Sequence, residues 1–276
     1  MKKGIMKISG LALAGVLSLG SMTTAFAAEA AEEPAAPAVT LEDLAGTYVE
    51  LFPEFEKEEY KPVWITRLQE SAGLDEESAE LAREMLIGMM EAEVYGEEAI
   101  GLAAEEPGYS MFDCFFINGP VQITVDGDTI SGTDEEGNEV FSHTYVFDET
   151  MKADFGEEMN AMYEEMISEG LFSEEDWPTM DVYVAEDADD DFKYFAFMGD
   201  TPAETYHIEF RYGADKEGLA SYYDGDYAYW LAAGIPADYS EELITDCINL
   251  FVDENAPSIA EMFTAEDAAA EEAAAE

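Results

Sequence analysis

The spacing of hydrophobic and polar positions divides the chain into a helical first part, a strand-rich middle and a closing helix. Apolar residues at helical spacing predict helices over residues 44–52, ending at Pro53, and over residues 76–93. From residue 111 the period changes to two, and the dipeptides at 126–127 and 137–138 predict hairpin turns. The predicted strands are 111–117, 121–125, 129–132, 140–147, 180–185, 192–198 and 205–212, and the remaining predicted helices are 154–170 and 239–252. This order predicts a mainly β domain with flanking helices, folded as an antiparallel barrel or a strongly curved sheet.

The strand predicted over residues 205–212 has one polar and one apolar face. His207, Glu209 and Arg211 occupy alternate positions, and bulky apolar side chains lie between them. Because successive side chains of a strand point to opposite faces, these three residues share one face. A histidine and a carboxylate two residues apart suit a metal ion or a small anion on a concave sheet. The same pattern also suits an ordinary buried pair of Glu209 and Arg211, and both interpretations stay open.

The two ends of the chain predict a secreted protein. Lysines precede an apolar stretch within residues 1–27, which ends in an A-x-A cleavage pattern typical of a secretory signal peptide. No cysteine follows that would mark a lipid anchor, and no later stretch is long and apolar enough to span a bilayer, so we expect no membrane insertion. An Ala/Pro/Glu linker over residues 28–40 and an acidic Ala/Glu tail over 257–276 would flank a single domain at 41–256.

Charge excludes one class of partner. The chain has 65 acidic residues against 11 Lys and Arg, a formal net charge of −54. Such a surface repels nucleic acid and attracts cations. The hydrophobic content of 48% and the aromatic content of 12% are too high for a disordered chain. We therefore expect a folded protein that does not bind nucleic acid.

The two cysteines, Cys114 and Cys247, have two interpretations. Outside the cytosol they can form a disulfide, and otherwise they are two buried small hydrophobic residues. Neither belongs to a C-x-x-C motif, so the sequence predicts neither a thiolate metal site nor a redox motif.

Four stretches resemble one known family in their order and spacing. They are LAGTYV followed by LFP at 44–53, the hairpin DGDTI at 126–130, the strand YHIEFRYG at 206–213, and the helix and aromatic stretch at 219–230. The chain resembles the ZinT family (formerly YodA), extracytosolic proteins that bind zinc and cadmium, over about residues 41–255, with a helical insertion at about 150–180. The resemblance implies a lipocalin-like (calycin) antiparallel β-barrel and a bound zinc ion.

The resemblance also implies which residues would hold the metal. The family uses three histidines, one on the penultimate strand and two in a His-x-His on the last. His207 matches the first of that pair, Glu209 stands at the second, and Asp200 or Met198 falls nearest the third. This implies a degenerate site of His207, Glu209 and Asp200 that holds zinc or another divalent cation together with water. Carboxylate ligands would shift preference toward Mn²⁺ or Ca²⁺, and Arg211 would oppose binding by neutralising Glu209.

Three further features have ordinary explanations. His143, the only other histidine, is expected to support a strand or the ligands rather than bind metal itself. The acidic loop at 186–191 lacks the spacing and the glycine of an EF-hand, which favours a solvated loop. The aromatic residues within 222–230 are expected to pack the C-terminal helix onto the barrel.

The sequence therefore favours binding over catalysis. It contains no nucleophile elbow, no phosphate-binding loop and no H-E-x-x-H motif, so we expect that the protein is not an enzyme. Our hypothesis is a secreted protein that captures or buffers a divalent metal, zinc first, outside the cell. A protein partner such as a metal-uptake component is compatible with this role. The alternative is a metal-free calycin barrel that binds a small ligand or a partner protein.

Overall fold

The computed structural model of the chain describes residues 36–106 and 108–275. The predicted signal peptide over 1–27 and the linker up to residue 35 lie outside the described residues. The strands are β1 (Gly46–Glu50), β2 (Gln122–Asp126), β3 (Thr129–Thr133), β4 (Glu139–Thr144), β5 (Val146–Lys152), β6 (Thr179–Val184), β7 (Tyr194–Phe197), β8 (Ile208–Gly213) and β9 (Ala232–Pro236). The helices are α1 (Leu51–Phe55), α2 (Lys61–Ala72), α3 (Glu76–Gly88), α4 (Glu97–Glu105), α5 (Gly156–Ser168), α6 (Lys216–Ala220) and α7 (Glu241–Ala275). The predicted class, an antiparallel sheet with flanking helices, is confirmed.

The sheet is strongly curled. Its strand order is β4-β3-β2-β1-β9-β8-β7-β6-β5, and every neighbouring pair is antiparallel. Six strand intervals separate β4 from β7, which would hold them about 29 Å apart in a flat sheet. Instead, the ring of Phe141 on β4 stacks on Phe192 with 4.0 Å between centroids and lies 5.8 Å from the ring of Phe195 on β7. These contacts require the sheet to curl around an aromatic interior.

The predicted barrel is realised only as a half-barrel. The two edge strands are β4 and β5, and in the described part of the chain they pair with β3 and β6 but not with each other. Only Tyr145 separates them, which is too short for a hairpin between them. Tyr145 is buried, its backbone N–H donates to Asp128 O at 2.7 Å, and its hydroxyl donates to the carbonyl of Phe192. The chain therefore passes directly from one edge of the sheet to the other, and the single strand predicted over 140–147 is divided at this residue.

The curled interior is filled with side chains. Ile208, Phe210 and Tyr212 of β8 are completely buried there, and the Tyr212 ring lies 5.0 Å from that of Phe195. The Tyr212 hydroxyl accepts from Ile117 N–H at 2.6 Å and donates to Ile117 O at 2.7 Å. The interior face of β8 is thus fully occupied, and its polar face points the other way.

Two local predictions are wrong. The segment 111–117 makes only isolated bridges through Asp113, because that side chain turns back to accept from Phe115 N–H at 3.0 Å. The predicted helix over 44–52 is instead β1 followed by the short helix α1. Pro53 lies in the first turn of α1, where its missing N–H would have no helical partner in any case. It therefore does not end the helix as predicted.

The closing helix α7 is longer than predicted. It continues through Pro257 beyond the expected domain end at residue 256, and buried Val252 and Ile259 lie on either side of the proline. Arg67 of α2 anchors it, since Nε of Arg67 donates to Asp253 Oδ1 at 2.7 Å. Within the described ranges, no helix combines the length and the apolar character that a membrane span needs.

Candidate metal centre

A tight turn sets the position of His207. In the turn between β7 and β8, Thr205 N–H donates to Thr201 O at 2.8 Å, and its hydroxyl also donates to Thr201 O, at 3.0 Å. Both threonines are buried. Tyr206 follows with a positive φ of 71°, a region that costs a bulky residue energy and is often found at functional sites. This backbone directs His207 and Glu209 onto the face of β8 opposite the aromatic interior.

The hydrogen bonds of the His207 ring fix its orientation. Its Nδ1 lies 2.7 Å from the carbonyl oxygen of Thr205. A carbonyl oxygen only accepts hydrogen bonds, so Nδ1 carries the proton. A backbone carbonyl bonded to one ring nitrogen is the usual arrangement that leaves the other nitrogen free for a metal. The ring is held with Nε2 facing Glu209.

The separation of His207 from Glu209 suits shared coordination. Nε2 of His207 lies 3.5 Å from Oε1 of Glu209, and the two side chains are only 14% and 21% exposed. Two ligand atoms bound to one tetrahedral zinc at the usual distances are about 3.4 Å apart. The observed distance is longer than a normal hydrogen bond and close to this value. The pair can therefore act as two ligands of one cation with little rearrangement.

Further carboxylates surround the pair. The pKa of Asp200 is raised above its ordinary value, mainly by burial and to a smaller degree by repulsion from Glu209, while His207 acts to lower it. On α7, burial and repulsion from Glu209 raise the pKa of Glu254 to about 7. Burial lowers the pKa of His207, but Cys247, Glu209 and Asp200 together raise it well above its ordinary value. The five side chains form one interacting group, which we call the His207 cluster.

The His207 cluster is not a finished metal site. Over residues 36–106 and 108–275, no three His, Cys, Asp or Glu side chains are placed to hold a metal ion together. The structure brings His207 and Glu209 together, and Asp200 influences them through charge without closing the site. Met198, the other candidate for the third ligand, has its sulfur 3.2 Å from the Tyr222 hydroxyl, which donates to it.

Two members of the His207 cluster were absent from the sequence prediction. Cys247 and Glu254 come from α7, and Cys247 Sγ lies 3.8 Å from Nδ1 of His207. Their positions are seven residues apart, so they share one face of the helix. No local motif links them to residues 200–209, because the contact depends on how α7 packs on the sheet.

Arg211 does not neutralise Glu209 as predicted. The guanidinium is completely buried and donates three hydrogen bonds to backbone carbonyls, those of Leu219, Ser221 and Tyr227. It lies 4.8 Å from the ring centroid of Tyr222. Burial lowers its pKa to about 10. Arg211 therefore holds the segment between β8 and β9 in place. The Glu209 carboxylate is paired with His207 instead.

The second histidine lies away from the cluster. Nε2 of His143 lies 2.8 Å from Asp190 Oδ2, which joins β4 to the acidic loop at 186–191. His143 therefore supports the strand arrangement, as predicted, and the acidic loop provides its partner.

The cysteines are free thiols rather than a disulfide. Both are buried, and Cys114 Sγ contacts Met90 Sδ at 3.9 Å while Cys247 lies beside His207. The structure therefore agrees with the second interpretation from sequence, in which the two cysteines are buried and do not form a disulfide.

The rings of the aromatic stretch at 222–230 pack inside the fold. They pack against residues of the loop at 109–112, of β8 and of the segment following β5, with ring centroids 5.1–5.9 Å apart in the contacts Tyr109–Tyr229, Phe112–Tyr223, Tyr212–Trp230 and Phe155–Tyr222. These partners lie in segments other than the C-terminal helix, which the rings were predicted to pack onto the barrel. The rings are therefore occupied by one another and by the core.

A separate group of carboxylates gives the protein a pH-dependent stability. The pKa of Glu91 is raised from 4.5 to about 7, mainly by burial and to a smaller degree by repulsion from Glu56 and Glu93. Between these values the folded state binds more protons than the unfolded state, so stability from this group is complete near pH 4.5 and is lost as the pH rises through 7. We expect Glu91→Gln to raise the free energy of unfolding at pH 8 by about 1–2 kcal/mol, after allowance for solvent screening, and to have little effect at pH 4.5.

Urea unfolding of both proteins at pH 4.5 and pH 8 measures this difference. Glu84→Gln, exposed in the middle of α3, is the matched control and should shift neither value. A Glu91→Gln variant that is equally or less stable than the wild type at pH 8 contradicts the prediction.

Comparison with known proteins gives structural likeness only. No protein-family model matches the chain, and no curated protein matches it. Among solved structures it is similar to the Zn(II)-bound ZinT-like domain of Streptococcus pneumoniae AdcA, with 14% identity, a TM-score of 0.45, and coverage of 76% of this chain and 90% of that one. It is also similar to Zn(II)-bound AdcA of the same organism, with 14% identity and a TM-score of 0.43, and it spans about a third (34%) of that longer chain. The first of these neighbours is a ZinT-like domain, the family that the sequence resembles, and the likeness concerns the fold alone.

Proposed function

We propose that this protein binds a divalent metal ion, with a preference for zinc, through His207 and Glu209, with Asp200 as the third ligand. The observation that carries the proposal is the geometry of the His207 ring. Nδ1 is bonded to the Thr205 carbonyl at 2.7 Å, and Nε2 lies 3.5 Å from Glu209 Oε1. This supplies one nitrogen and one oxygen donor at the separation of two ligands on one zinc ion.

The surrounding charges support the same proposal. Asp200, Glu209 and Glu254 repel one another, since each of the carboxylate pKa values that shifts is raised in part by its neighbours. A divalent cation relieves that repulsion and takes the place of the proton on Nε2. Water completes the coordination, so we expect weak to moderate affinity, on the order of micromolar.

We further propose a role in capture or buffering rather than catalysis. The acidic chain attracts cations to its surface, and the His207 cluster would retain one of them. Because the sequence begins with a signal-like segment, we place this role outside the cell. A metal-uptake component is the kind of protein that would receive the ion.

Zinc titration by calorimetry tests the ligand assignment. We expect Glu209→Gln to weaken zinc binding about tenfold or more, because the amide keeps the size of the side chain but loses the charge of the donor. Asp200→Asn should weaken it by a smaller factor. Glu139→Gln removes one charge from exposed β4 and is the matched control, which should bind zinc like the wild type.

The alternative function gives a different result. A metal-free half-barrel that binds a small ligand or a partner protein would show zinc heats of equal size in all four proteins, because the acidic surface alone would produce them. That outcome would refute the metal proposal.

A further inference from the structure

Helix α5 is fixed to the body of the protein along one side only. It belongs to the segment at about 150–180, which the ZinT resemblance marks as an insertion. Tyr163, in the middle of α5, is buried, and its ring centroid lies 5.3–5.7 Å from those of Phe155, Phe172 and Trp177. This aromatic anchor holds the helix in a defined position while its other side faces outward.

The outward side carries a continuous apolar strip. Met162 is 37% exposed, and Leu171, at 70%, is the most exposed large apolar side chain of the described residues. Met166 joins them, since it follows Met162 by one turn and its carbonyl accepts from Leu171 N–H at 2.9 Å. Gly170, with φ of 70°, donates to Ile167 O at 3.0 Å and completes a Schellman motif. We call Met162, Met166 and Leu171 the α5 strip.

Carboxylates alone border the α5 strip. Glu158 and Glu165 lie one turn before and one turn after Met162, and both are exposed. Glu169, at the C-terminal end of the helix, is exposed as well. The sequence from 153 to 192 contains no lysine, arginine or histidine. The surface therefore combines an apolar centre with a rim of one charge.

We propose that the α5 strip is a docking surface for a cationic amphipathic segment of a partner protein. The apolar side chains of that segment would cover the strip, and its Lys or Arg side chains would pair with the bordering carboxylates. Methionine side chains suit this role because they adapt to the shape of the partner.

Charge decides between this occupant and others. A second copy of the chain would bring two acidic rims together at a net charge of −54 per chain, and an anionic membrane would be repelled in the same way. Because three side chains make a small surface, we expect a transient complex with a Kd on the order of 10 µM. No residue of the α5 strip belongs to the His207 cluster, so this inference does not depend on metal binding.

Fluorescence anisotropy with a synthetic probe peptide tests the inference. The probe is a helical peptide of leucine and lysine with leucine at positions i, i+3, i+4 and i+7, and its control is a scrambled peptide of the same composition without an apolar face. In EDTA and about 0.15 M salt, we expect the full chain to bind the probe at least about fivefold more tightly than the scrambled peptide.

Variants locate the binding surface. Met162→Gln combined with Leu171→Ser should weaken probe binding about tenfold and leave binding of the scrambled peptide unchanged. Leu81→Ser is the matched control, since Leu81 is 54% exposed on α3, and it should bind the probe like the wild type. Circular dichroism checks that the double variant is folded, and Leu171→Ser alone serves if it is not.

Three outcomes overturn the inference. They are equal affinity of the wild type for both peptides, equal effects of the α5 strip variant and Leu81→Ser, and a dimer in sedimentation velocity that the α5 strip variant abolishes. The last would assign the strip to self-association. Each leaves the zinc proposal standing, because that proposal is tested by zinc titration of other variants.

Discussion

Replacing Arg211 with alanine is expected to lower the free energy of unfolding by about 3–5 kcal/mol, because the change leaves buried carbonyls without donors and removes a large buried side chain. The guanidinium is completely buried and donates to Leu219 O at 2.5 Å, to Ser221 O at 2.8 Å and to the carbonyl of Tyr227. These three bonds hold the chain between β8 and β9. Urea unfolding followed by tryptophan fluorescence measures the loss, since Trp230 lies beside Arg211.

Two further variants serve as comparisons for Arg211→Ala. Arg211→Lys should also destabilise strongly, since an ammonium group cannot reproduce the planar fork that reaches three carbonyls. Arg67→Ala removes a partly exposed arginine that pairs with Asp253, and it should cost about 1 kcal/mol or less. If Arg211→Ala is no more destabilising than Arg67→Ala, Arg211 does not hold the chain between β8 and β9 in place as we propose.

Replacing His207 with alanine is expected to weaken zinc binding about a hundredfold or more, the largest functional effect of any single change. The ring supplies the only nitrogen donor of the His207 cluster, and its loss leaves carboxylates that bind zinc no better than the rest of the acidic surface. Calorimetric titration of the folded domain measures the change.

The chain contains its own control for this variant. His143→Ala removes the other histidine, which pairs with Asp190 at 2.8 Å rather than with the cluster. We expect it to bind zinc with wild-type affinity. Equal weakening by both histidine variants would show that zinc is held nonspecifically.

Much of the sheet could be predicted because its signals are local. The period-two pattern and the turn at Gly127, with φ of 59°, lie within a few residues of each other, and β2 and β3 form the expected hairpin. The strand containing Glu209 was also predicted, although the positive φ of Tyr206 delays its start to Ile208. The helix predicted over 44–52 failed because β1 is set by pairing with β2 and β9, which are distant in sequence.

The candidate site could be predicted only in part, for the same reason. His207 directly precedes β8 and Glu209 lies on it, so the predicted alternation still places the two side chains together. Cys247 enters the site through the packing of α7, which no local pattern specifies. Arg211 was assigned to Glu209 from their spacing, whereas its carbonyl partners belong to a segment that folds back over the strand.

Anomalous X-ray scattering from crystals of the protein grown with one equivalent of zinc tests the central claim most directly. We expect a single dominant zinc peak within about 2.0–2.2 Å of His207 Nε2 and of a Glu209 carboxylate oxygen, with the Nδ1 bond to Thr205 retained. Zinc peaks found only among exposed carboxylates, with His207 still paired to Glu209, would contradict it.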